Sequence, residues 1–129
     1  MDVVCDEAAG CGAAVIGVLP RFMKGLEHPA LTEKHWTETM SARKEKMRQG
    51  VSVAIALPGG IGTVDELVET LVLAKLGQTH ARVILYDVDG YWKPLEDLLD
   101  HFVKTGMLEP EDRALLHCAG SVEDLKKLL

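Results

Sequence analysis

The sequence is short of basic residues, short of cysteine and without long hydrophobic runs, and each shortage removes a class of function. Fourteen Lys plus Arg against twenty Asp plus Glu give a formal net charge of −6, so there is no basic field to hold nucleic acid or an anionic membrane surface. An anionic ligand must then be held by a local site. Cys5, Cys11 and Cys118 are odd in number, widely spaced and in no C-x-x-C arrangement, so neither a disulfide framework nor a zinc site is expected. They are read as reduced, half-buried thiols. The apolar runs stop well below the ~20 residues that a membrane-spanning helix needs. The stretch MDVVCDEAAG carries acids where a secretory signal carries basic residues, and the expected location is cytoplasmic. Repeats, low-complexity tracts and an interdomain linker are also lacking. A chain of 129 residues suits one domain, spanning 1–129, with a real core.

What is present is an alternation. Residues 13–19 (AAVIGVL), 51–57 (VSVAIAL) and 82–88 (RVILYDV) are aliphatic, β-branched and apolar almost throughout, as in parallel strands covered on both faces. Between and after them, residues 33–49, 63–76 and 94–104 have helical character. A short fourth strand is expected near LLHCA, with SVEDLKKLL as a closing helix capped by Ser121. The pattern predicts an α/β fold wound around a parallel sheet. The irregular stretch RFMKGLEHPALTE is long enough to be a functional loop.

The segment LPGGIGTVDE, residues 57–66, follows one of these strands directly and opens a helix. In parallel α/β sheets ligands bind at the carboxyl ends of strands, where the next helix offers unpaired N–H groups and its positive dipole end. Pro58 ends the strand. Gly59, Gly60 and Gly62 would let the backbone approach an anion and take up positive φ, as a phosphate nest requires. The plain alternative is a tight connection in which Thr63-x-x-Glu66 forms a capping box. Glu66 and Glu69 lie one turn apart and share a face, with Asp65 pointing elsewhere.

In the preceding helical stretch Trp36, Met40, Arg43 and Met47 recur at spacings of one turn, so Arg43 falls on the stripe meant for the core. A buried cation is costly unless it meets an anion. Two readings stand: Arg43 snorkels or forms a structural ion pair, or it serves a bound anion. Lys44, on the adjacent face, reads as solvated.

PGGIGTVDE resembles the PGGxGTxxE signature of the LOG ("lonely guy") family of cytokinin riboside 5′-monophosphate phosphoribohydrolases, and MSARKEKM resembles the M-x-x-R-K segment ahead of it. VIGVLP, LAKLG, DVDGYW and GMLEPEDR extend the similarity over essentially the whole chain. The resemblance implies a Rossmann-like, doubly wound, three-layer α/β enzyme, dimeric as the family usually is. It would hydrolyse the N-glycosidic bond of adenine-type nucleoside 5′-monophosphates to free base and ribose 5-phosphate, with no metal and no redox cofactor. The family's alternative name, lysine decarboxylase, finds no pyridoxal phosphate site here. By match to the motifs, Arg43 and Glu66 are the catalytic positions, and Lys44, Gly59, Gly60, Gly62, Thr63 and Glu69 are substrate-contacting ones. Glu27, in LPRFMKGLE, matches a binding glutamate.

Against the family pattern, an initial strand, helix and glycine-rich second strand are missing, and Met1 aligns with a methionine of that glycine-rich segment. The chain is therefore expected to be amino-terminally truncated, with AAVIGVL presenting an apolar edge that oligomerisation would protect. Val72 and Leu73 stand where many plant relatives carry Thr-Trp, so base preference is expected to differ. His80 and Asp89 take ordinary loop and strand-end explanations. Two further readings remain beside the leading one: a general AMP or pyrimidine-nucleotide nucleosidase, and a non-catalytic nucleotide- or cofactor-binding Rossmann module.

Overall fold

The computed structural model describes residues 2–129; the Met1 alignment lies outside them. The chain divides into two compact units, one up to Gln49 and one from Gly50 to Leu129. Every strand pairing is parallel, as the sequence predicts for an α/β protein.

The first unit contains α1 (Asp2–Gly10), β1 (Ile16–Pro20), a single 3₁₀ turn at Arg21–Met23, β2 (Glu33–Thr37) and α2 (Met40–Arg48). β1 and β2 form a two-stranded sheet with Val18 opposite His35 and Leu19 opposite Trp36. The irregular stretch after β1 runs to residue 32, about the shortest connection that can return a chain to a parallel neighbour. His28 Nδ1 and Thr32 Oγ1 brace it locally, accepting from the N–H groups of Ala30 at 3.2 Å and Val15 at 2.9 Å.

The expectation of one helix over 33–49 is corrected here. Residues 33–37 are strand, and the helix begins only at Met40, with Thr39 as its cap, accepting from Ala42 N–H at 3.1 Å. The apolar residues at helical spacing therefore straddle a boundary: Trp36 belongs to β2 and the rest to α2. α1 had no counterpart in the sequence reading. The cysteines differ as well, since Cys5 is buried and Cys11 and Cys118 are exposed, all three as free thiols.

The second unit contains β3 (Val53–Ala56), α3 (Ile61–Lys75), β4 (Arg82–Tyr86), α4 (Lys93–Lys104), the one-turn α5 (Pro110–Arg113), β5 (Leu116–Ala119) and α6 (Val122–Leu128). β4 lies between β3 and β5, with Ala56 opposite Leu85 and Leu85 opposite Cys118. Its residues Val83, Ile84 and Leu85 are covered on both faces, as the continuous apolar run RVILY requires. Two-sided cover does not extend to β3, whose Ile55 is 41% exposed; this strand ends the sheet. Around Val83 and Leu85 the core gathers Ala56, Leu67, Trp92, Leu99 and Leu116, with Val64, Leu71, Leu95 and Leu108 packed against it. Ser121 caps α6 as read from sequence, accepting from Asp124 N–H at 3.1 Å.

Candidate active site

The glycine-rich turn connects β3 to α3 at the carboxyl end of the strand. Gly60 is the cap residue, with φ −86° and ψ −160°, and it makes no side-chain cap bond. Its carbonyl accepts from Thr63 N–H at 3.0 Å and Val64 N–H at 3.2 Å. The helix thus opens at Ile61, two residues earlier than predicted, and Thr63 lies inside its first turn. A capping box from Thr63 to Glu66 is therefore ruled out. The first N–H groups of α3 have no carbonyl within the helix to bind, and they sit at its positive dipole end.

The motif glycines are not used for positive φ, which the structure reserves for Gly12, Gly25, Gly50, Gly77, Gly90, Gly106 and one aspartate, Asp89. Gly59 is required for space instead. A Cβ there would stand 2.2 Å from Thr63 Oγ1 and 3.0 Å from Thr63 Cβ. At Gly60 and Gly62 a Cβ would meet nothing within 4 Å, so the space beside the helix terminus is open on that side. Gly59→Ala is expected to push Thr63 out of place and weaken binding of inorganic phosphate by about tenfold, about 1.4 kcal/mol, with the melting temperature little changed. Calorimetric titration checks this, and unchanged affinity would refute the spacing argument.

Beyond the first turn, one face of α3 lines an open depression of about 470 Å³ formed by Ile61, Val64, Asp65, Val68 and Glu69. Asp65, expected to point away, shares this surface with Glu69. Glu66 is half-buried, and its backbone carbonyl accepts the Thr70 hydroxyl at 2.7 Å. Gly59, Gly60, Gly62, Thr63, Glu66 and Glu69 thus belong to one continuous turn and helix.

The remaining sequence-derived residues belong to the first unit. Arg43 and Lys44 lie on α2, both half-buried, so Lys44 is not the fully solvated side chain expected. Arg43 is not on a buried stripe, since α2 buries none of its residues. Its guanidinium Nε donates to Val18 O of β1 at 3.0 Å. Glu27 accepts from Gly25 N–H at 2.5 Å. Its own N–H, then that of Gly25, hold its carboxyl below the ordinary range, with help from Lys34 and Lys24.

A second group of chemically capable side chains lies at the carboxyl ends of β4 and β5. Ligand atoms of Asp87, Glu96 and Cys118 fall within 4.8 Å of one another. All three have other commitments. Asp87 Oδ1 accepts from Trp92 N–H at 2.7 Å, and Glu96 Oε1 is 3.6 Å from Arg113 Nη2. Desolvation of the Cys118 thiol, followed by the charges of Glu96 and Asp87, pushes its pKa up. A thiol kept protonated is a weak ligand and a weak nucleophile.

One contact to the candidate turn went unread in the sequence. The Tyr91 hydroxyl donates to Gly59 O at 2.7 Å. Its signal was DVDGYW, where an Asp-Gly pair marks a left-handed turn able to send the next side chain back toward β3.

A family profile described as "Possible lysine decarboxylase" matches residues 1–129. The chain belongs to this family, the LOG family. Among curated LOG relatives, the "Probable cytokinin riboside 5'-monophosphate phosphoribohydrolase LOGL3" of Oryza sativa subsp. japonica is 35% identical over 127 residues, covering 97% of this chain and 60% of the relative. "Cytokinin riboside 5'-monophosphate phosphoribohydrolase LOG3" of Arabidopsis thaliana is 33% identical over 131 residues, 100% of this chain and 61% of its own length. The cytokinin riboside 5'-monophosphate phosphoribohydrolase of Rhodococcoides fascians is 30% identical over 126 residues, 95% of this chain and 64% of its own. The chain spans between 60% and 64% of the length of these three relatives.

Proposed function

We propose that the chain, as a single LOG-type domain over residues 1–129, hydrolyses the N-glycosidic bond of adenine-type nucleoside 5′-monophosphates, releasing free base and ribose 5-phosphate. The observation that carries this reading is the PGGIGTVDE segment at the carboxyl end of β3, with a carboxylate in the second turn of the helix it opens. The names of the LOG relatives support the substrate class.

In this mechanism the N–H groups at the start of α3 receive the 5′-phosphate, with Gly59, Gly60, Gly62 and Thr63 shaping the seat. Breaking the bond between C1′ and the base nitrogen sends its electron pair out with the base and leaves an oxocarbenium-like sugar. The Glu66 carboxylate stabilises that positive charge and takes a proton from the water that adds to C1′. A proton from solvent completes the departing base. The motif matches further assign Arg43 a catalytic part, and Lys44, Glu27 and Glu69 a part in holding substrate. The reaction calls for no metal or redox cofactor.

We further propose a homodimer with no nucleic-acid partner, acting in the cytoplasm. The net charge of −6 supports the lack of a nucleic-acid partner and the three free thiols a reducing compartment, while the homodimer rests on the family resemblance. Among the described residues no helix is long and apolar enough to cross a membrane.

The test is incubation of purified protein with AMP and with isopentenyladenosine monophosphate, following free base by chromatography. Release of adenine or isopentenyladenine with equimolar ribose 5-phosphate is the expected result. Folded protein that is stabilised by nucleotide yet yields no base would instead make the chain a binding module.

A further inference from the structure

The peptide unit between Gly59 and Gly60 joins two residues without side chains, so nothing local resists its rotation about the flanking bonds. Its orientation matters because a trans peptide is planar, and no bond among the described residues is cis. Turning the Gly59 carbonyl therefore turns the Gly60 N–H to the opposite side. A flipped unit would aim a carbonyl, not an N–H, at the mouth of α3 and would repel an anion there.

One side chain from elsewhere in the unit holds this carbonyl. Tyr91 lies 32 residues away in sequence and donates its hydroxyl to Gly59 O at 2.7 Å. The Tyr91 ring is half exposed, so burial alone does not fix it, and the surrounding turn supplies the constraint. Asp89 and Gly90 both take positive φ, 54° and 76°, and Tyr91 N–H donates to Val88 O at 3.1 Å. This is the two-residue left-handed turn for which Asp-Gly is suited. Next to it, Trp92 is buried at 3% exposure. Asp87 Oδ1 binds the Trp92 N–H at 2.7 Å, and the Tyr91 and Trp92 rings meet edge to face with centroids 5.0 Å apart. The turn from Asp87 to Trp92 is thus anchored at one end in the core and presents the hydroxyl at the other.

We propose that Tyr91 is a positioning residue: its hydroxyl selects the orientation of the Gly59–Gly60 peptide that aims the Gly60 N–H at an anion seated on α3. The anion's identity as a 5′-phosphate rests on the phosphoribohydrolase reading; the selection of one peptide orientation does not.

Tyr91→Phe removes only the hydroxyl and keeps the edge-to-face packing on Trp92. In the free variant, the NMR residual dipolar coupling of the Gly60 N–H, which reports the direction of that bond, is expected to shrink as two peptide orientations average, while the couplings of Val83, Ile84 and Leu85 keep their parent values. In NMR titrations with inorganic phosphate the dissociation constant is expected to rise about fivefold, about 1 kcal/mol. With a nucleoside 5′-monophosphate, KM should rise and kcat stay unchanged, because the phosphate is gripped equally in ground and transition states. A parent-like Gly60 coupling in the variant would overturn the proposal whatever the enzymology shows, and so would a parent that binds no inorganic phosphate. A reduced coupling and weaker phosphate binding in the variant of a parent that releases no base would uphold the positioning role and sink the phosphoribohydrolase reading.

Discussion

Glu66→Gln is expected to lower release of free base from a nucleoside 5′-monophosphate by on the order of 10³-fold. Glutamine keeps the size and the planar end of the side chain but loses the charge that opposes a developing oxocarbenium ion. It also loses the acceptor for the proton of the attacking water. The backbone bond from Thr70 to Glu66 O is untouched by the change, so α3 should keep its geometry. Glu69→Gln, on the face that lines the open depression, should act differently, raising KM with little effect on kcat. Single-turnover measurement of base release on both variants separates these roles. A Glu66→Gln protein that turns over at the parent rate would remove Glu66 from the mechanism and direct attention to Asp65 and Glu69.

Leu85→Ala is expected to be the most damaging single truncation in the second unit, costing about 3 kcal/mol. Leu85 is 0% exposed on the central strand, flanked by Ala56 on β3 and Cys118 on β5, and packs within the core that holds Trp92 and Leu99. The neighbours on either side are fixed in the ladder and cannot close into the void. A loss of that size is a large share of the 5–15 kcal/mol that keeps an ordinary domain folded, and it corresponds to a drop of roughly 10–20 °C in melting temperature. Met107→Ala, at a position 79% exposed, serves as the control and should stay within about 0.5 kcal/mol of the parent. Urea denaturation of the two variants checks the contrast. Equal midpoints would mean that β4 is not the centre of the folded unit.

Much of this protein was legible in order along the chain. The continuous apolar run RVILY marked β4 as a strand covered on both faces, LLHCA pointed to β5, and Ser121 marked the start of α6, because these signals depend on residues a few positions apart. PGGIGTVDE with MSARK named the LOG family for the same reason: a motif is local. What the sequence left unread depends on partners distant along the chain. Trp36, Met40, Arg43 and Met47 keep a helical period, yet Trp36 is drawn into β2 by pairing with Leu19 of β1, and the helix waits for its Thr39 cap. Thr63 had the pattern of a cap, but Gly60 takes that place three residues earlier. The need for glycine at position 59 is set by the Thr63 side chain, and the aim of its carbonyl by Tyr91. Residue types and short-range spacing determined the α/β alternation, four of the five strands and which family the chain joins. Tertiary structure decided that residues 33–37 are strand, where α2 and α3 begin and how the glycine turn is held, since hydrogen bonds and steric contacts between distant residues outweigh the small local preferences that spacing reports.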